Sequence, residues 1–275
     1  MTQRVLEWVT ARLREGEAVA LASVITAQGS VPGKPGAHMA LTESEVYGTV
    51  GGAGLELKVM NHLREILQSK EGRIETYQLQ KEASGAVGTP LNSLCGGILT
   101  VSMEVVLPMP HILLAGGGHC AQAIADASAP LGWSVSVLDA RPEYASEELW
   151  PDAEECITSE PGDFLARETT ESLARFSHIL LLGHDWVIDE ALLIGLLERA
   201  EGRPCIGCIG SRSKWKSFEE SALNSGIKQE LLDTVICPIG VNIGAESPPE
   251  IAVAVLAQII AEVKGIEPTS ASWRD

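Results

Sequence analysis

Apolar positions change period partway along the chain, and glycine- and proline-rich breaks separate the runs. Residues 1–15 place Val5, Leu6, Val9 and Leu13 at helical spacing, which predicts an amphipathic helix with those four on one face. AVALASVITA (18–27) reads as a buried strand. GSVPGKPGAHM (29–39) is a loop entering a second short strand. VYGTVGGAGLE (46–56) goes from strand through a glycine-rich turn into a helix that continues through residue 67. RIETYQL (73–79) and GGILTVSMEVVL (96–107) have strand character, and PMP (108–110) breaks the chain. Beyond it, strands and helices alternate. HILLAG, WSVSVLDA, ECIT, HILLLG and PCIGCIG are strands, with helices such as AQAIADASAPLG and DWVIDEALLIGLLERA between them. That alternation, with apolar strands, predicts a parallel sheet covered on both faces. SPPEIAVAVLAQIIAEVKG (247–265) has proline at the first helical position and apolar residues nearly all round, so a buried helix is expected.

The expected fold class is therefore α/β: a Rossmann-like parallel sheet with helices on both faces over 109–275, preceded by a smaller α+β domain over 1–108. Two domains suit a chain of 275 residues with 45% hydrophobic residues. Six cysteines in a chain this long are not a small disulfide framework, no long uncharged apolar run is present, and the first residues lack the apolar centre of a signal peptide. These features lead to the expectation of a soluble, reduced, cytoplasmic protein. A net charge of -17 argues against nucleic acid and acidic membrane surfaces as partners. The charge is uneven: residues 1–110 hold 9 Lys/Arg against 11 Asp/Glu, whereas 111–275 hold 11 against 26. An anionic ligand meets less repulsion in the first part; in the second it needs a helix amino terminus or local Arg and Lys.

Gly116-x-Gly118-x-x-Ala121 is a dinucleotide-type fingerprint. The first glycine makes the tight turn, the second lets a pyrophosphate approach, and the small third residue lets helix and strand pack. Asp139 ends the next strand, where a ribose-binding acid belongs, and His119 lies inside the turn. A nucleotide-binding type of fold does not fix a function. His184 and Asp185 follow a strand's carboxyl end, where ligands bind in open parallel sheets; Asp185 alternatively caps the next helix. His178, at the start of an apolar strand, reads as structural. Cys205 and Cys208 form a C-x-x-C pair that points to opposite faces of a strand, with no second pair to complete a zinc site, so they read as buried strand cysteines. Cys120, Cys156 and Cys237 read the same way. Cys95 differs: it sits where a polar loop meets a strand, with Gly96 and Gly97 behind it, as a thiol that ionises, ligates a soft metal or carries a transferred sulfur, or as a half-buried loop cysteine. Gly51 and Gly52 before a helix are a second anion-receptive turn. A ligand with both a phosphate and a thiophilic metal suits Cys95 beside that turn.

The order and coverage of these motifs resemble the XdhC/CoxI family of xanthine dehydrogenase accessory proteins. GSVPGKPGAHM, GTVGGAGLE, LCGGILTV, AGGGHCAQA, GHDWVID, IGSRSK and PIGVNIGAESPPEIAVAVLA carry the resemblance, the last being the most specific. It implies a cofactor chaperone rather than an enzyme. Such a protein binds molybdenum cofactor, supports its sulfuration by a cysteine desulfurase partner, and delivers it to an apo molybdenum hydroxylase of the xanthine dehydrogenase type. Carried across residue by residue, the resemblance points to Cys95, also as the metal-ligating residue, with Gly96, Gly97, Gly51, Gly52 and Glu56. In the second half it points to Gly116, Gly118, His119, Asp139, His184, Asp185 and Arg212. The sequence departs from the family at Gly33, His38 and Asn242; Trp186 stands where a second histidine is usual, so no metal is assigned at His184. Two alternatives stay open: an NAD(P)-dependent oxidoreductase using Asp139 and His184, and a nucleotide-binding regulatory protein. A homodimer is the base-rate expectation.

Overall fold

The computed structural model describes residues 2–80, 89–92, 96–199 and 204–267. The chain divides after Pro108 into two units, each built on its own buried clusters. The first contains helix α1 (Thr2–Arg14), strands β1 (Val19–Gly29), β2 (His38–Leu41) and β3 (Val46–Gly48), helix α2 (Ala53–Ser69), and strands β4 (Arg73–Gln80), β5 (Thr89–Asn92) and β6 (Gly97–Val106). They make one sheet in the order β3-β2-β1-β6-β4-β5, antiparallel except at the β4–β5 edge. The proline-containing TPLN of β5 has no strand signature, and an edge is where a strand tolerates proline.

β1 is apolar throughout its first half because both of its faces are covered. Ala20, Ala22 and Val24 pack in one cluster with Leu55, Val59, Leu63 and Ile66 of α2, whereas Val19 and Leu21 pack with Val5 and Val9 of α1. The patch under α1 is small. Val5 and Val9, one turn apart, fill it with Trp8 and Leu13 at its margin, and Leu6 is left exposed, contrary to its expected place on the buried face.

The second unit runs β7 (His111–Ala115), α3 (His119–Ser128), β8 (Ser134–Asp139), β9 (Glu155–Thr158), α4 (Pro161–Arg167), α5 (Thr170–Leu173), β10 (His178–Leu181), α6 (Trp186–Leu197), β11 (Cys205–Cys208), α7 (Arg212–Asn224), α8 (Gln229–Leu232) and α9 (Pro248–Lys264). All five strands are parallel, in the order β11-β10-β7-β8-β9. Alternate strand residues serve opposite layers. Ile112, Leu114, Val137 and Leu180 pack with Val255 and Ile259 of α9, and Leu113, Leu138, Ile179 and Leu181 pack with α4, α6 and α7. This is the Rossmann-like, doubly covered sheet that the strand pattern predicted. α9 is not buried all round: Val253 and Val263 face outward, because the helix lies on the sheet as an outer layer. α7 lacks a sequence signal because few of its side chains are buried, chiefly Phe218 and Ala222.

Candidate functional site

The carboxyl ends of β7, β8 and β10 meet at the point where strand order reverses, the place where open parallel sheets bind ligands. A narrow cleft there is lined by Gly116, Asp139, His184, Asp185 and Asp189 among others. Four residues chosen from sequence are thus brought together. The glycines of the turn differ in what they accomplish. Gly116 has φ 109°, and a Cβ on it would lie 2.8 Å from the Gly183 nitrogen, so the turn crosses the end of β10 at backbone contact. A Cβ on Gly117 would lie 2.1 Å from the Tyr144 carbonyl oxygen. Gly118 is the N-cap of α3, with ordinary φ and nothing within 4 Å of where a Cβ would be. Among the described residues no side chain caps α3, and no acid stands in its first turn, which favours an anion at its leading N–H groups. His119 is exposed at this terminus.

Asp139 is buried, and both its oxygens are occupied. The Gly117 N–H donates to Oδ2 (2.9 Å), Arg141 donates from its backbone (3.0 Å) and Nε (2.9 Å) to Oδ1, and Arg141 also donates from its terminal guanidinium nitrogen to Oδ2 (2.8 Å). Burial pushes the carboxyl pKa up, but these bonds outweigh it and the net direction is down. The expected free ribose acceptor is instead a strut that ties the glycine turn to Arg141. The Arg141 guanidinium stacks 3.7 Å from the Tyr144 ring centre, its charge paired with the Asp139 carboxylate. Sequence reading missed Arg141, although a basic residue two places after the strand-ending acid is a usable signal.

Asp185 is the N-cap of α6: its Oδ1 accepts from the Val187 N–H at 2.9 Å, the alternative its sequence position allowed. His184 beside it is exposed. Behind them lies a pair that the sequence did not reveal. Asp189, 1% exposed, accepts from Lys214 Nζ at 2.7 Å and from the Gly183 N–H at 3.1 Å. Burial raises the Asp189 pKa more than Lys214 lowers it. Arg212 does not join the cleft. It lines a separate groove with Gly210, Pro238, Gly240, Asn242 and Gly244, where the IGSRSK and PIGVNIGAE segments meet.

In the first unit the turn at Gly51 and Gly52 packs on the loop after β1. A Cβ on Gly51 would lie 2.4 Å from Gly33 N and Pro32 C, and one on Gly33 would lie 2.2 Å from the Val50 carbonyl oxygen. Gly97 approaches the Gln28 carbonyl equally closely, and the Gly96 carbonyl accepts from the Ser30 N–H at 2.7 Å. Both glycine segments therefore rest on one loop. Glu56, in the first turn of α2, accepts from the Thr49 hydroxyl and from the Gly51 N–H (3.4 Å). A carboxylate of the chain already stands where an anion was expected. Cys95 lies outside the described residues.

The remaining cysteines depart in part from the buried-strand expectation. Cys208 is buried, and its thiol and that of Cys237 share a hydrogen bond, which raises the pKa of Cys208 and lowers that of Cys237. Cys156 and Cys237 are half-buried, and Cys120 is half-buried on α3 rather than on a strand. Cys205 is exposed, because the first position of β11 opens at the end of the sheet.

A parallel nucleotide-type sheet with a glycine turn, preceded by an antiparallel-sheet unit, defines the class. Residues 112–259 match the XdhC Rossmann domain and residues 12–78 match the XdhC and CoxI family. The chain belongs to the XdhC/CoxI family. It is 29% identical over 249 residues to the uncharacterized protein YqeB of Escherichia coli, covering 90% of this chain and 44% of that one. It is 32% identical over 160 residues to a Bacillus subtilis protein described as a probable xanthine dehydrogenase subunit, covering 58% of this chain and 44% of that one. The chain thus spans less than half the length of these relatives. A crystal structure from Bacillus halodurans, described as a xanthine dehydrogenase, shares the fold over 99% of this chain and 98% of its own, with TM-score 0.50 and 19% identity. Among the described residues no helix is long and apolar enough to cross a membrane.

Proposed function

We propose that the protein is an accessory factor for a xanthine dehydrogenase-type molybdenum hydroxylase, binding molybdenum cofactor, supporting its sulfuration by a cysteine desulfurase, and passing it to the apo-enzyme. The observation that carries this reading is the presence of both family regions in one chain. An anion-receptive helix start supports this reading. Among the described residues the amino terminus of α3 has no side-chain cap and no first-turn acid, and Gly116 just before it lines a cleft. The Gly51 turn is a poorer seat, because Glu56 puts a carboxylate in the first turn of its helix. Cys95 is assigned the thiophilic contact on the strength of the family resemblance, with Gly96 and Gly97 keeping the adjoining strand close to its loop. The protein acts as a homodimer in this reading, which light scattering on the purified chain checks.

The test is anaerobic purification from a host that makes the cofactor, followed by fluorescence assay of oxidised pterin. The wild type should carry pterin, and Cys95→Ser and Gly118→Asp should each carry less while remaining folded. Equal loading of all three overturns the assignment. The same turn also favours a second reading, in which the domain takes NAD(P) or another nucleotide. Pterin-free protein that binds NADH or a nucleotide at micromolar concentration would establish it.

A further inference from the structure

At the opposite end of the sheet from the cleft, three residues of metal-binding type converge. His178 and Cys205 are the first residues of β10 and β11 and are paired in register, so both side chains leave the same face of the sheet. α9 covers that face, and Glu262, three residues after the buried Ile259, reaches the same spot. One ligand-type atom from each, the His178 imidazole nitrogen, the Cys205 sulfur and a Glu262 oxygen, all lie within 4.8 Å of one another. In a tetrahedral site with bonds of about 2.0–2.3 Å such atoms stand roughly 3.3–3.7 Å apart, so a small χ rotation of the exposed Cys205 closes the set.

The hydrogen bonds around the cluster hold its side chains in place. His178 is 4% exposed. Its Nδ1 lies 2.9 Å from Ser177 Oγ, and that hydroxyl donates to the His111 carbonyl (3.1 Å) and accepts the His111 N–H (3.1 Å). When that hydroxyl donates to the carbonyl, Nδ1 donates to Ser177 and Nε2 presents a lone pair; in the other tautomer Nε2–H donates to Glu262. Nε2 faces Glu262 Oε2 at 3.1 Å. The first arrangement suits a metal ion held between imidazole and carboxylate, the second an ordinary hydrogen bond. Cys205 favours the metal, since its sulfur supplies a third ligand beside the other two. The outer contacts are those a metal site uses: Ser177 Oγ orients the imidazole through Nδ1, and Gln258 donates to the other Glu262 oxygen at 2.9 Å.

We propose that His178, Cys205 and Glu262 bind a zinc-type divalent ion, with the fourth position open to solvent. Thiolate, carboxylate and neutral imidazole together balance its two charges. The mixed nitrogen, sulfur and oxygen donors suit zinc better than magnesium or calcium. The site ties β10, β11 and α9 together about 16 Å along the strand from the cleft. Gln258 links it further, because its Oε1 accepts the Gly240 N–H at 2.6 Å in the segment that lines the Arg212 groove. The proposal is independent of the cargo role.

The test is anaerobic titration of the chelator-treated full chain with cobalt(II), then displacement by zinc. One cobalt per chain should bind with tetrahedral visible bands and a thiolate charge-transfer band in the near ultraviolet. Cys205→Ser should abolish that band and weaken zinc about 100-fold or more, and Glu262→Gln should weaken it at least 10-fold. Cys237→Ser and Cys95→Ser should leave the band intact, and zinc should raise the melting temperature of the wild type but not of Cys205→Ser. Cys205 is exposed, so its variant should fold, and circular dichroism of the apo forms checks this. No stoichiometric binding at micromolar metal would show that a proton, not a metal, joins His178 to Glu262, and would overturn the proposal. So would binding without the charge-transfer band, or with that band surviving in Cys205→Ser.

Discussion

The chain contains the same local design twice, a strand running through a glycine-rich turn into a helix, at Gly51 and again at Gly116, and the two turns do different things. At Gly51 the glycines admit the chain itself: Pro32 and Gly33 pack at backbone contact, and Glu56 turns back to accept from the turn. At Gly116 the close approaches, to Gly183 and Tyr144, are also internal, but the helix start is left open. A run of glycines therefore announces close approach without saying what approaches. Each turn donates one N–H to a carboxylate, Gly51 to Glu56 and Gly117 to Asp139, and neither helix start has a side-chain cap among the described residues; the difference is that the acid at Gly51 sits in the first turn of its own helix. An acid three or four places into a helix can neutralise its own amino terminus. α2 has Glu56 there and α3 has no acid.

The largest expected effect tests the internal contact. Gly51→Ala places a Cβ against Gly33 at φ 120°, which should cost about 3 kcal/mol or more, read as a lower urea midpoint for the first unit. A stability unchanged within error would mean the Gly33 loop yields, and the turn could then open to a ligand. Gly118→Asp comes next. It adds an N-cap acid where there is room, so stability should hold or rise slightly while bound pterin falls at least 10-fold. Retained loading would remove α3 as the anion seat.

Glu56→Gln should cost about 1 kcal/mol, because the charge leaves but the hydrogen-bonding shape stays. If the variant gains a phosphate-dependent rise in melting temperature, the Gly51 turn is a masked anion site and the contrast between the turns weakens. The smallest effect is acid-dependent. The folded-state pKa of Asp139 is depressed below its unfolded value of about 3.9, so its contribution is present above that pH and disappears as pH falls through the folded value. Asp139→Asn should therefore flatten the acid limb of stability, followed by urea unfolding from about pH 6 down to about pH 2.5. An unchanged limb would mean that Arg141 and the Gly117 N–H do not hold the carboxylate in solution.

Periodicity along the chain determined the parallel sheet, its order of strands and helices, and the glycine turn at the end of β7, because backbone geometry ties each of these to neighbours in sequence. The same local logic placed Gly116, Asp139, His184 and Asp185 at strand ends, and hence in one cleft. It could not tell that Arg141 would occupy Asp139, that Glu56 would fill its own turn, or that Lys214 would pair with Asp189 25 residues away. Those outcomes depend on which side chains arrive from other elements and how much water remains around them. The convergence of His178, Cys205 and Glu262 is the clearest case. The histidine and the glutamate are 84 residues apart, and each reads as an ordinary strand or helix residue until β10, β11 and α9 pack together. Local spacing sets the direction a side chain takes from its own element; only the packed layers decide what it meets.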